Sequence, residues 1–167
     1  MTDENQNLLD RPFPDCEPFS YKATNTSRKS FVSGDPDPKR LVVRYWVRKT
    51  DQHFLGRAYF GPHAEGPPGH AHGGSMAALL DEAMGLCAWS AGHPVLAASI
   101  NVRFLRSMSL NKVVEVHAWI DKVQGRKVSV SAEIRGENQE RYTESSGLFV
   151  VLSDERLAQM KLIYSGA

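Results

Sequence analysis

His72-Gly73-Gly74-Ser75-Met76-Ala77-Ala78-Leu79-Leu80-Asp81-Glu82-Ala83-Met84-Gly85 is the stretch on which the reading of this chain turns. From residue 74 to residue 88 the sequence is rich in Ala, Leu and Met, holds no β-branched residue and is apolar almost all the way round. A helix of that kind is buried, not laid on a surface. At about 1.5 Å per residue it runs for roughly 20 Å.

Outward from this helix the period changes. Residues 41–48 and 54–60 are β-branched and aromatic runs separated by the polar Lys49-Thr50-Asp51-Gln52, a hairpin pattern. A loop rich in proline, 61–69, leads to the helix. After Gly92-His93-Pro94 strands return at 96–105, 113–123, 127–134 and 142–152, with turn signals at Gln124-Gly125 and Gly136-Glu137-Asn138. Residues 154–164 form a weakly amphipathic tail that can add a short helix. Short connections favour an antiparallel sheet. One apolar helix buries most surface if that sheet curls around it, so the expected class is α+β: an antiparallel β-sheet wrapped around one long central helix.

Residues 1–40 are rich in Asp, Asn, Ser and Pro with scattered aromatics (Phe13, Phe19, Tyr21, Phe31), and read as an extension that drapes over the domain or stays partly mobile. Asp35-Pro36-Asp37-Pro38 is a strong breaker. The expected organisation is an extension at 1–40, one domain at 41–153 and a tail at 154–167. The chain has 167 residues, with 20 basic against 19 acidic ones, a net charge of +1. That balance excludes a general nucleic-acid binder. Cys16 and Cys87 stand in different settings and suggest no disulfide framework. Neither a signal peptide nor a membrane span is expected, and a cytoplasmic location follows.

Two carboxylates on a buried helix need a reason, because burying an unpaired charge is costly. Adjacent helical positions point about 100° apart, so Asp81 and Glu82 cannot share an environment. Asp81 has small or apolar helical neighbours (Ala77, Ala78, Met84, Gly85), which leave room for a ligand beside a carboxylate whose proton affinity desolvation raises. Glu82 fits an ion pair or a solvated helix edge better. At the head of the helix, Gly73 and Gly74 let another molecule approach free first-turn amides, where the helix dipole stabilises an oxyanion. Gly73 lies eight residues before Asp81, about 12 Å along the axis. One helix cannot bring both to a single carbonyl, whereas two antiparallel copies can, so the spacing argues for a site at a dimer interface.

The quoted stretch resembles the signature of hotdog-fold acyl-CoA thioesterases of the phenylacetate-pathway and thioesterase-superfamily-member type, and the resemblance covers about 41–152. It implies that Asp81 is the general base or nucleophile, that the Gly73 amide polarises the thioester carbonyl from the other subunit, and that His72 shapes the site. Asn101-Val102-Arg103-Phe104-Leu105-Arg106 resembles the strand after the family's helix, placing Arg103 and Leu105 among the substrate-binding candidates with Gly74. Gly125-Arg126-Lys127-Val128 resembles its turn at the coenzyme A phosphates, where Arg126 and Lys127 suit phosphate charge. The chain departs from the pattern at Gly66, where some members have Asn or Gln, and at Ala97, where others have a water-orienting Ser or Thr. Ser99, two residues on and read as sharing the strand face of Ala97, can substitute.

Other chemistries fit less well. His63, His70 and His72 lack a Cys or a fourth ligand at metal spacing, so no metal is expected, nor any cofactor. Ser75 lacks the Gly-x-Ser-x-Gly setting of a nucleophile. A hotdog dehydratase or hydratase, and a non-catalytic acyl-CoA-binding module, remain as alternatives. The expected partners are an acyl-CoA substrate and further copies of the chain, as a homodimer or a tetramer of hotdog dimers, with neither nucleic acid nor membrane.

Overall fold

A computed structural model describes residues 1–20 and 30–165, with side chains to residue 160; Tyr21 and the side chain of Tyr164 fall outside the described residues. The elements run α1 (Asp3–Asp10), β1 (Cys16–Phe19), β2 (Leu41–Arg48), β3 (Phe54–Phe60), a short 3-10 turn (Pro62–Ala64), α2 (Gly73–Ser90), β4 (Val95–Phe104), β5 (Val113–Gln124), β6 (Lys127–Arg135), β7 (Arg141–Val151) and α3 (Asp154–Ser165). The strands form one seven-stranded sheet in the order β1-β2-β3-β5-β6-β7-β4. Every neighbouring pair is antiparallel.

Helix α2 packs against β3, β4, β5, β6 and β7, so it fills the inner side of the sheet as its composition requires. It has 18 residues, a helix of moderate length at about 27 Å. Leu79, Leu80, Ala83 and Met84 are fully buried on it, under Val116, Ala118, Val130 and Phe149 of the sheet. Each large side chain there contributes about 1.5–3 kcal/mol of transfer free energy. Strand periodicity follows from one-sided burial. In β5, Val114, Val116 and Ala118 point to the helix while Glu115, His117 and Trp119 face outward.

Strand β3 is buried along its whole length because its outer face is covered too. Helix α1 is capped by the Thr2 hydroxyl, which accepts from the Asn5 amide. It lays Leu9 against Val42, Tyr59 and Val113 as a second small core. Strand β1 adds an edge beyond β2, pairing Phe19 with Tyr45, and Phe19 packs edge-on to Phe54. The first twenty residues therefore dock on the sheet through a helix and a strand that their polar composition conceals.

Two features position the site. A Cβ at Gly56 would stand 2.7 Å from Val116 Cγ1 and 2.8 Å from the Tyr45 ring, so glycine there lets Tyr45 lie across β3 toward α2. At the other edge β4 has no partner strand on one side among the described residues, and Leu96, Ile100 and Phe104 along it and Leu105 just after it are exposed.

Candidate active site

The head of α2 is built around His72. It is the N-cap residue, in extended conformation, and its Nδ1 accepts from the Gly74 N–H at 2.9 Å. A neutral imidazole used this way keeps its proton on Nε2, which is left able to donate. A Cβ on Gly74 would stand 2.9 Å from that Nδ1, and one on Gly66 would stand 2.8 Å from the His72 Cα. Both glycines are therefore room for His72. The loop is stitched down by main-chain bonds from His72 to the Ala64 carbonyl (2.8 Å), from Gly66 to that of His70 (2.9 Å) and from Ala71 to that of Met108 (2.9 Å). Ser75 spends its hydroxyl on the His72 carbonyl at 2.7 Å, a helix-start role.

The Gly73 amide has no acceptor among the described residues. It opens the helix, where the macrodipole is positive. The Phe104 ring covers it from β4: a Cβ at Gly73 would meet the ring at 3.3 Å. This leaves a free donor at a helix N-terminus partly covered by an aromatic ring, the arrangement that holds an anion or a polarised carbonyl oxygen.

Asp81 lies two turns further along. It is half-buried and has neither a hydrogen bond nor an ion pair among the described residues. Desolvation, and after it the neighbouring Glu82 charge, hold its carboxyl above the usual carboxylate range. Asp81 opens into a groove of about 530 Å³ between α2 and the start of β4. Among the described residues Glu82 has no ion-pair partner, and it is only partly exposed. The Tyr45 hydroxyl donates to its Oε1 at 3.0 Å and the Ser30 hydroxyl donates to its Oε2. Two hydroxyl donors thus fix one carboxylate of the pair and leave the other unpartnered.

The remaining candidates lie in three places. Leu105 follows β4 beside Phe104, at the same end of the sheet as Gly73, and donates its amide to the Tyr142 carbonyl at 2.8 Å. Ser99 and Arg103 do not face Asp81. A bulge between Ala97 and Ser99 pairs Ala97 with Phe149 but Ser99 with Leu148, in phase with Asn101 and Arg103 on the outer face. The reading of Ser99 as a stand-in on the face of Ala97 is corrected by that extra residue: Ala97, not Ser99, lines the groove with Asp81. Arg103 forms an outer-face ion pair with Glu144.

Arg126, Lys127 and Val128 sit at the opposite end of the sheet from Gly73, on the turn where Gly125 takes φ +57°. Arg126 donates Nε and Nη2 to the Val151 carbonyl at 3.0 and 2.8 Å, Lys127 is exposed without an ion pair among the described residues, and Val128 is fully buried against Phe149. Lys127 shares a row with Val150 and Leu96, so this turn and the groove mouth lie at one end. Phe104, Tyr45 and Ser30 had no signal of their own in the sequence. Among the described residues no group of three His, Cys, Asp or Glu side chains is placed to hold a metal ion, and no helix is long and apolar enough to cross a membrane.

Residues 68–143 match the family model described as the thioesterase superfamily. The bovine acyl-coenzyme A thioesterase THEM4 is 38% identical over 97 residues, covering 58% of this chain and 40% of that protein. The Xenopus laevis THEM4 is 30% identical over 150 residues, covering 80% of this chain and 66% of that one. The chain thus spans less than two thirds of the length of these relatives. A solved thioesterase superfamily protein superposes with a TM-score of 0.62 at 28% identity, covering 65% of this chain and 53% of the other. With helix and sheet order in agreement, this chain has a hotdog fold, and its residues 68–143 match the thioesterase superfamily.

Proposed function

We propose that the protein hydrolyses acyl-coenzyme A thioesters, with Asp81 as the base that activates water. The observation that carries this reading is the unpartnered, half-buried Asp81 carboxylate opening into a groove on α2. A carboxylate pushed above its usual range is a better base at neutral pH than a solvated one. Asp81 takes a proton from water as the water oxygen attacks the carbonyl carbon, and the carbonyl oxygen becomes an oxyanion. The tetrahedral intermediate collapses by breaking its C–S bond. The proton then passes from Asp81 to the leaving sulfur, giving a free acid and the thiol of coenzyme A. Water is the only co-reactant.

The oxyanion donor is the Gly73 amide of a second copy, since eight residues of helix separate Gly73 from Asp81 within a chain. Support comes from β4, a ten-residue edge strand with exposed apolar side chains. Unpaired main chain beside exposed Leu96, Ile100 and Phe104 is a template for a second copy, strand against strand. In such a dimer the antiparallel helices bring each Gly73 toward the other Asp81, with His72 Nε2 beside the same oxygen. The minimal unit is a homodimer, and Arg126 and Lys127 supply the positive charge for the nucleotide phosphates.

The reading is tested by mixing two inactive full-length proteins, Asp81→Asn and Gly73→Pro, the second lacking the amide. Subunit exchange, followed by mass spectrometry, yields heterodimers with one intact site, and thiol release from acyl-CoA returns. Heterodimers that form and stay inactive, with both parents folded, would place the oxyanion donor elsewhere.

A further inference from the structure

The groove beside Asp81 is walled by more than the two elements that carry the motif. Apart from Asp81 and Glu82, the residues lining it are apolar, aromatic or glycine: Ala78, Gly85, Leu86 and Trp89 from α2, Val95 to Ala97 from β4, and Phe149 from β7. From Asp81 to Trp89 it follows α2 for eight residues, about 12 Å. Its lining also draws on residues outside 68–143: Phe31 and Val32 from before the domain and Met160 of α3.

The Phe31 wall is held in place. The Ser30 hydroxyl donates to Glu82 while its oxygen accepts from the Val32 and Ser33 amides at 3.2 and 3.3 Å, and the Gly34 amide closes the turn on the Ser30 carbonyl at 3.1 Å. Val32 is the anchor at 6% exposure, and Phe31 stands over the groove 82% exposed. A large aromatic fixed at the mouth of an apolar groove gains its burial only when something apolar lies beneath it.

We infer that this groove is an acyl subsite for an uncharged, medium-length alkyl chain, with Phe31, Gly85 and Met160 setting its selectivity. The inference rests on the thioesterase reading and adds the substrate class. The carbonyl lies at Asp81 and the chain runs along α2 toward Trp89, a length of about 12 Å that suits an acyl group of about eight carbons. A carboxylate at the far end of the acyl group is disfavoured, because the described walls there are apolar and the charged groups among the described lining residues, Asp81 and Glu82, are both acids. Gly85 stands one turn beyond Asp81. A Cβ there meets only the Phe149 ring, at 3.8 Å, so a side chain fits on the helix and projects into the groove.

The test measures kcat/KM for acetyl-, octanoyl- and succinyl-CoA with the full chain and with Phe31→Ala and Gly85→Leu. The expected order is octanoyl well above acetyl and succinyl, and each substitution lowers the octanoyl-to-acetyl ratio by about tenfold or more. Phe31 is exposed enough for its variant to fold even if Gly85→Leu does not. An unchanged ratio in the folded variants, or succinyl-CoA turned over as well as octanoyl-CoA, overturns the subsite and leaves the thioesterase reading standing. If no thioester is hydrolysed, the thioesterase reading falls instead, and calorimetry with the stable thioethers S-octyl-CoA and S-ethyl-CoA judges the groove. Tighter binding of the octyl compound, lost in Phe31→Ala, supports the subsite; equal affinities overturn it.

Discussion

Replacing Gly66 with alanine adds one methyl group at the point where the loop before α2 folds back on His72. The Cβ would stand 2.8 Å from the His72 Cα, 3.0 Å from its Cδ2 and 3.1 Å from its Cβ. The nearest of these is main chain, so no rotamer change relieves it. Ordinary carbon contacts begin near about 3.5 Å, which leaves an overlap of about 0.7 Å to be absorbed by a segment fixed at both ends. Overpacking of this kind costs about 1–3 kcal/mol. For a domain of this size each kcal/mol lowers the melting temperature by about 2–4 °C, so a fall of about 2–12 °C is expected by calorimetry. Moving His72 also moves the helix cap and the Gly73 amide, and a misplacement approaching 1 Å costs up to about a hundredfold in rate. The expected variant is folded, less stable and slower in thiol release. A Gly66→Ala protein with the melting temperature and rate of the parent would refute the claim that this glycine exists to seat His72.

Other perturbations separate the remaining roles. Reversing charge at Arg126 and Lys127 should raise KM for acyl-CoA more than it lowers kcat and should matter little for a short thioester without the nucleotide; equal loss on both substrates would mean that the turn supports the fold alone. Glu82→Gln removes the smaller of the two causes that raise the Asp81 pKa. Because the base works as its carboxylate, activity rises as pH climbs through that pKa, and removing Glu82 should move this acid limb to lower pH; a limb that stays in place or moves up contradicts the coupling.

Much of the fold was legible because burial is one-sided and periodic. The runs 41–48 and 54–60 emerge as β2 and β3 with the same bounds, and the bounds of the later strands shift by at most one residue. Helix α2 begins at Gly73 because His72 supplies the cap, and continues to Ser90. Helix α1 and strand β1 were hidden because their apolar content is a few side chains, Leu8, Leu9 and Phe19, among polar neighbours. The Ala97–Ser99 bulge was invisible for a different reason. One unpaired residue leaves no mark on composition, yet it sends Ser99 to the other face. The Glu82 partners were out of reach as well, since Tyr45 and Ser30 arrive from 37 and 52 residues away. Asp81 stood out in the sequence because a buried, unpaired carboxylate on an apolar helix is costly, and the structure leaves it half-buried and unpartnered among the described residues.

The most direct test of the central claim is thiol release from octanoyl- and acetyl-CoA by the wild type and by Asp81→Asn, with folding of both verified. Asparagine keeps the shape and removes the base, so the rate should fall by about a hundredfold or more, equivalent to about 2.7 kcal/mol of barrier, while the fold survives. An Asp81→Asn protein that hydrolyses both thioesters at nearly the parental rate would contradict the account.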